Sequence, residues 1–240
     1  MYFCTMANTC DILCITAHPD DVELCSSGTV LKHVASGHKV GIVDMTAGEL
    51  GTRGSAALRK EESERALKVL GGAFRYQLGM ADGFFEETEE NLMKVIRTIR
   101  EHRPRVLITN ALADRHPDHG RAGALVARAS FLSGLRKIDT SQETWRPNII
   151  LHMIQDRRME PDVLVDITPH YAKKMEAIKA FSSQFYDPAS DEPESPISSK
   201  DFLDTIEARA LEFGRLINTR YAEGFVSARP IGVDDLTRIL

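Results

Sequence analysis

The chain has 240 residues, enough for one large domain or two small ones and for a sizeable core. Its formal charge of −5 and isoelectric point near 5.9 give no support to nucleic-acid binding, and no long basic run argues otherwise. No apolar stretch approaches the roughly 18–20 residues that span a bilayer, so a membrane partner is not expected either.

The start, MYFCTMANTC, lacks the basic-then-apolar order of a signal peptide. Residues 1–10 read as an extension before the domain, with Met6 an alternative initiator. Cys4, Cys10, Cys14 and Cys25 all lie in the first 25 residues with no cysteine downstream, the pattern of reduced thiols in a cytoplasmic protein. DILCITA (11–17) is a first strand, and a helical pattern follows from Val22 to about Ser36. KVGIVDM (39–45) is a second strand. The glycine-rich loop TAGELGTRGS then leads into a charged helix, Ala57 to Leu70, stopped by Gly71-Gly72. AFRYQL (73–78) is strand three and Asn91 to His102 a helix. RVLITN (105–110), opened by Pro104, is strand four, and His119 to Leu132 is helical. NIILHMI (148–154) and DVLVDI (162–167) are two more strands. A helix from Pro169 to Phe181, a polar loop (187–198) and a long helix from Asp201 to Tyr221 complete the order.

Strands separated by helices of this length need crossover connections, hence a mainly parallel α/β sheet with helices on both faces in a single domain. Ligands of such sheets bind beyond the carboxyl ends of the strands. HPDD after strand one, TAGELGTRG after strand two and ALADRHPDHG after strand four therefore share one rim. His18 and Asp21 stand three apart at a strand end, and His116 and His119 repeat the spacing in HPDH. Two imidazoles and a carboxylate can hold a divalent ion with positions left open for water and substrate, the catalytic pattern. The same set suits non-haem iron, but an H-x-x-D spacing on alternating strands and helices favours hydrolytic zinc. Adjacent side chains diverge, so Asp20 and Asp21 cannot easily share a metal; whichever is not a ligand stands where a general base belongs. Glu23 reads as a helix-start residue favoured by the dipole, and Arg59 as surface. Arg53 is a planar fork for a carboxylate. Arg115 is a second anion contact or a partner for Asp20 or Asp118.

AHPDDVE with the downstream HPDH resembles the PIG-L/LmbE-like family of metal-dependent N-acetylglucosaminyl deacetylases. DMTAGELGTRG, LRKEE, LGMADG, SQFYDP, ISSKDF and YAEGF extend the likeness towards the bacillithiol-biosynthesis branch, whose substrate is N-acetylglucosaminyl malate. The resemblance implies a Rossmann-like fold, often in hexamers, and a bound zinc. It makes His18, Asp21 and His119 the metal ligands and Asp20 the general base. His116 then stabilises the oxyanion or protonates the leaving amine, with Asp118 orienting it. The chain departs from the family at LCSSGTV, where relatives carry a glycine-rich run, and at Ala81, where they carry proline. Some relatives also have an oxyanion-contacting tyrosine in the segment that here reads SSKDFLD; if Phe202 stands in that place, the metal and His116 carry the oxyanion alone.

Overall fold

A computed structural model describes residues 9–233 and 235–238. Cys4 and Met6 lie outside them. The first strand, β1 (Ile12–Thr16), is buried along its whole length, as is β2 (Val40–Asp44). Continuous apolar runs of this kind belong to strands covered on both faces. Helix α3 (Ala56–Leu70) connects β2 to β3 (Phe74–Gln77), and α4 (Glu89–His102) connects β3 to β4 (Val106–Thr109). After α5 (Pro117–Ser133) come β5 (Ile149–Met153) and β6 (Val163–Asp166). Helix α6 (Tyr171–Lys179), α7 (Lys200–Leu216) and β7 (Ala222–Ser227) close the chain.

The seven strands form one sheet in the order β3-β2-β1-β4-β5-β7-β6. The first five are parallel, and β7 runs antiparallel to both β5 and β6. From β1 the chain winds outward to β2 and β3 on one side, then returns to β4 and β5 on the other. The order reverses between β1 and β4, so a crevice opens at their carboxyl ends.

Alternation along β1 builds both layers of the core. Leu13 and Ile15 face Val95, Ile96 and Ile99 of α4 and Leu125 and Val126 of α5. Ile12 and Cys14 face the other way, into a cluster with Leu31, Leu70, Ala177 and Phe225. Cys10, Cys14 and Cys25 are free and buried.

Two expectations need correction. The helix expected from Val22 to Ser36 is two helices, α1 (Asp21–Cys25) and α2 (Ser27–Ala35). The break is held by a buried charge pair from distant segments. The Glu223 carboxylate accepts the backbone N–H groups of Gly28 and Thr29 at 2.9 and 2.7 Å, and Lys174 Nζ donates to the Glu23 and Leu24 carbonyls at the end of α1. Lys174 and Glu223 meet each other at 2.8 Å. The helix expected to run to Tyr221 stops at Leu216, and the residues beyond Tyr221 form β7 between β5 and β6.

Candidate active site

The chain leaves β1 through Ala17 and turns at His18-Pro19-Asp20 into the short helix α1, whose first residue is Asp21. Asp20 has φ 131°, a region L-residues rarely enter. Its carbonyl accepts the Leu24 N–H at 3.0 Å and its carboxylate accepts Arg59 Nη2 at 2.7 Å. Arg59 reaches this point from α3 and also donates to the carbonyls of Gly48 and Pro19. Gly48 (φ +65°) makes room: a Cβ there would lie 1.9 Å from Arg59 Nη1. Arg59 is thus only 5% exposed, and its reading as a surface residue is overturned. A charged face on this helix packs inward because what it faces is a carboxylate.

Both Asp21 oxygens are engaged. Oδ2 accepts the His18 N–H and Asn110 Nδ2, each at 2.9 Å. Oδ1 accepts Gln155 Nε2 at 3.1 Å and stands 3.1 Å from His119 Nε2. Asn110 follows β4 and Gln155 follows β5, so three parallel strands deliver their ends to one carboxylate. The other nitrogen of His119, Nδ1, lies 2.5 Å from Asp114 Oδ2. A carboxylate behind a ring fixes which nitrogen points forward, here Nε2. His18 Nε2 lies 3.1 Å from Asp82 Oδ1 and 3.4 Å from Asp118 Oδ2.

The His116 ring packs against both other imidazoles, 4.7 Å from His18 and 5.0 Å from His119. Its Nδ1 accepts the Asp118 backbone N–H at 3.3 Å, which leaves Nε2 to carry the proton of the neutral ring. Burial and the charges of His18 and His119 lower its pKa, so neutral is the form it keeps. The resemblance puts the Asp118 carboxylate behind His116. In the structure it is turned away, accepting Gly83 N–H and Arg121 Nη1 at 2.8 Å each while facing His18.

The electrostatics of this cluster ask for a cation. Burial lowers the pKa of His18, yet Asp118 and Asp82 push it up to about 10. Burial acts likewise on His119, and Asp21 with Asp114 carries it to about 9. Asp21 itself is held far below the carboxylate range by His119, His18 and Asn110, against its burial. A divalent ion meets the same demand without protons. Ring nitrogens of His18, His116 and His119 lie within 4.8 Å of one another, as do donor atoms of His18, Asp82 and Asp118. The two groups share His18 and include His116; Asp21 stands in neither, but it meets His119 Nε2 at 3.1 Å, and this set of imidazoles and carboxylates fits a divalent metal. For Asp20, burial raises the pKa, with Arg59 opposing.

These groups line a cleft of about 440 Å³, within the usual range for small-molecule sites. Arg53 lines it too, 5% exposed, donating to the Phe185 carbonyl and to Ser190 Oγ in the loop that follows. Arg115 pairs with Asp156 at 2.6 Å rather than with Asp20 or Asp118. Phe202 lines the same cleft and stacks on Phe185. Glu23 stands in the first turn of α1, as expected, but it is fully buried and its carboxylate accepts Arg75 Nη1 at 2.7 Å. Asp82, Asn110, Asp114 and Gln155 carry no signal of their own in the sequence, and Arg59 reads there as surface. Asp82 lies in LGMADG and Asp114 in ALADRHPDHG, but only the fold aims them at His18 and His119.

Residues 13–130 match the family model described as PIG-L, GlcNAc-PI de-N-acetylase. The diacetylchitobiose deacetylase of Thermococcus kodakarensis is 30% identical over 228 residues, 89% of this chain and 81% of that protein. A probable N-acetyl-α-D-glucosaminyl L-malate deacetylase of Bacillus anthracis is 30% identical over 197 residues, 75% of this chain and 84% of that one. Among solved structures, a conserved protein of Thermus thermophilus superposes with a TM-score of 0.87 at 32% identity, covering 96% of this chain and all of that one.

Proposed function

The chain belongs to the PIG-L family of N-acetylglucosamine-conjugate deacetylases, and from that premise we propose that it is a zinc hydrolase acting on N-acetylglucosaminyl malate. The observation that carries the hydrolytic reading is Asp20. It lines the cleft beside His18, Asp21 and His119, and its carboxylate bonds Arg59 rather than any of them. A carboxylate kept near the ligands but out of their set has the place of a base.

In this reading His18, Asp21 and His119 hold the ion, which when bound would polarise the acetyl carbonyl and acidify a water. Asp20 takes the proton of the attacking water, its burial favouring the protonated product. His116 donates from Nε2 to the oxygen that gains charge. Asp20, now protonated, then returns that proton to the departing amine nitrogen, and acetate leaves. Asp118 acts on the site through His18 and the Gly83 loop. Arg53, with no acidic partner among the described residues, would receive one carboxylate of the malate; Arg115 is paired with Asp156 and would have to leave that pair to take the other. The reading brings with it a cytoplasmic setting and a homo-oligomer, hexameric as in the branch the sequence resembles.

Mass spectrometry of N-acetylglucosaminides incubated with zinc-loaded protein tests the substrate. N-acetylglucosaminyl malate should lose acetyl fastest. Faster turnover of diacetylchitobiose would replace malate with a second sugar, and no deacetylation of any member of the panel would overturn the reading.

A further inference from the structure

Four arginines line the cleft: Arg53, Arg59, Arg115 and Arg209. Two are matched by acids, Arg59 by Asp20 and Arg115 by Asp156. Arg53 and Arg209 have no carboxylate within ion-pair distance among the described residues. An unmatched cation in a half-enclosed cleft is costly to keep unless something anionic comes to it.

Arg209 stands where the cleft divides. Beyond it lies a second arm of about 780 Å³, between α7 and the segment after β5. Arg115, Gln155, Asp156, Pro196, Phe202 and Arg209 belong to both walls, so the two spaces adjoin across these side chains. The guanidinium of Arg209 finds only neutral partners among the described residues, the Gln155 carbonyl and Cys25 Sγ at 3.9 Å. Gln155 is the residue whose amide grips Asp21, so Arg209 is one residue removed from the reacting centre. Past it, Arg157 lines the arm with no ion pair of its own among the described residues, while Arg158 is taken by Glu212. Phe202 and Pro196 give the arm an apolar wall suited to the carbon face of a glycoside.

We propose that this arm is an aglycone subsite and that Arg209 is its specificity-determining cation, taking a carboxylate or phosphate attached to the N-acetylglucosamine. The inference rests on the deacetylase reading for the sugar half of the ligand and adds the direction in which the rest of the molecule lies. A planar guanidinium that donates one edge N–H to a backbone carbonyl keeps further N–H groups for an oxyanion, where a lysine would give a point charge.

Binding, rather than turnover, is the direct test. Zinc-loaded protein carrying Asp20→Asn is titrated calorimetrically with N-acetylglucosaminyl malate, N-acetylglucosamine 1-phosphate and neutral methyl N-acetylglucosaminide. At least one anionic ligand should bind about tenfold or more tightly than the neutral one, and whichever does so identifies carboxylate or phosphate. Adding Arg209→Met should lower that ratio several-fold, Arg53 keeping the remainder; Arg209→Lys should restore part of it, and Arg209→Gln gives the same reading with a polar side chain. A ratio unchanged by Arg209→Met but abolished by Arg53→Met would overturn the proposal, as would equal binding of all three ligands or binding of none. Wild-type protein that shows the selectivity yet releases no acetate would overturn the deacetylase reading and leave the subsite standing.

Discussion

At the scale of single residues the site turns on two adjacent aspartates with opposite surroundings. Asp21 is gripped by Asn110, Gln155 and His119, and the Asp20 carboxylate, among the described residues, by Arg59 alone. Asp20→Asn should therefore keep the metal and lose roughly 10²–10⁴-fold in kcat, the usual worth of a positioned base. Asp21→Ala should instead weaken metal affinity. Elemental analysis beside steady-state rates separates the two, and an Asn variant that loses its metal while the Ala variant retains it would reverse the assignment. Arg59 follows from the same geometry. It holds Asp20 at its strained φ without entering the ligand set, so Arg59→Ala should lower kcat at least tenfold with metal content and KM nearly unchanged. Arg59→Lys should recover part of the loss. A rise in KM with kcat intact would make Arg59 a substrate contact instead.

At the scale of elements, the short helix α1 is held at its end and from beneath by buried charge. Lys174 and Glu223 hold its end and the start of α2. Arg75 on β3 reaches under it, bonding Glu23 of α1 at 2.7 Å and both oxygens of Asp44 on β2. These groups are nearly or wholly buried. Arg75→Met would strand two buried carboxylates, and breaking such a pair costs about 3–5 kcal/mol. Urea unfolding should show that loss in the midpoint with the slope unchanged; a loss below about 1 kcal/mol would mean the carboxylates simply take up protons.

This network also shows what the sequence could and could not say. Strand ends and the H-x-x-D and H-x-x-H spacings were legible because apolar runs mark where a parallel strand stops and its loop begins. Glu23, Arg59 and Glu223 were not, because the charge that accompanies each lies 52, 39 and 49 residues away. Periodicity treats a polar residue as outward-facing, and inside a polar site that rule inverts. β7 was hidden for the same reason: AEGFVS carries the buried Glu223 and Gly224, whose missing side chain admits the Phe213 ring. Asn110 and Gln155 looked like ordinary residues after apolar strands. Only when β4 and β5 stand beside β1 do they meet Asp21.

At the scale of the molecule, a chain of net charge −5 gathers acids and imidazoles at the reversal of its strand order and rings them with arginines. The acidic centre calls for a divalent cation, and the surrounding guanidinia call for an anionic substrate; neither demand is visible in the net charge. The claim that joins these scales is that acetyl removal needs the ion held by His18, Asp21 and His119. It is tested by acetate release from N-acetylglucosaminyl malate before chelation, after complete metal removal, and after zinc is returned. The account predicts that release stops on removal and recovers with about one equivalent of zinc per chain. Acetate release that continues at full rate from metal-free protein would contradict it.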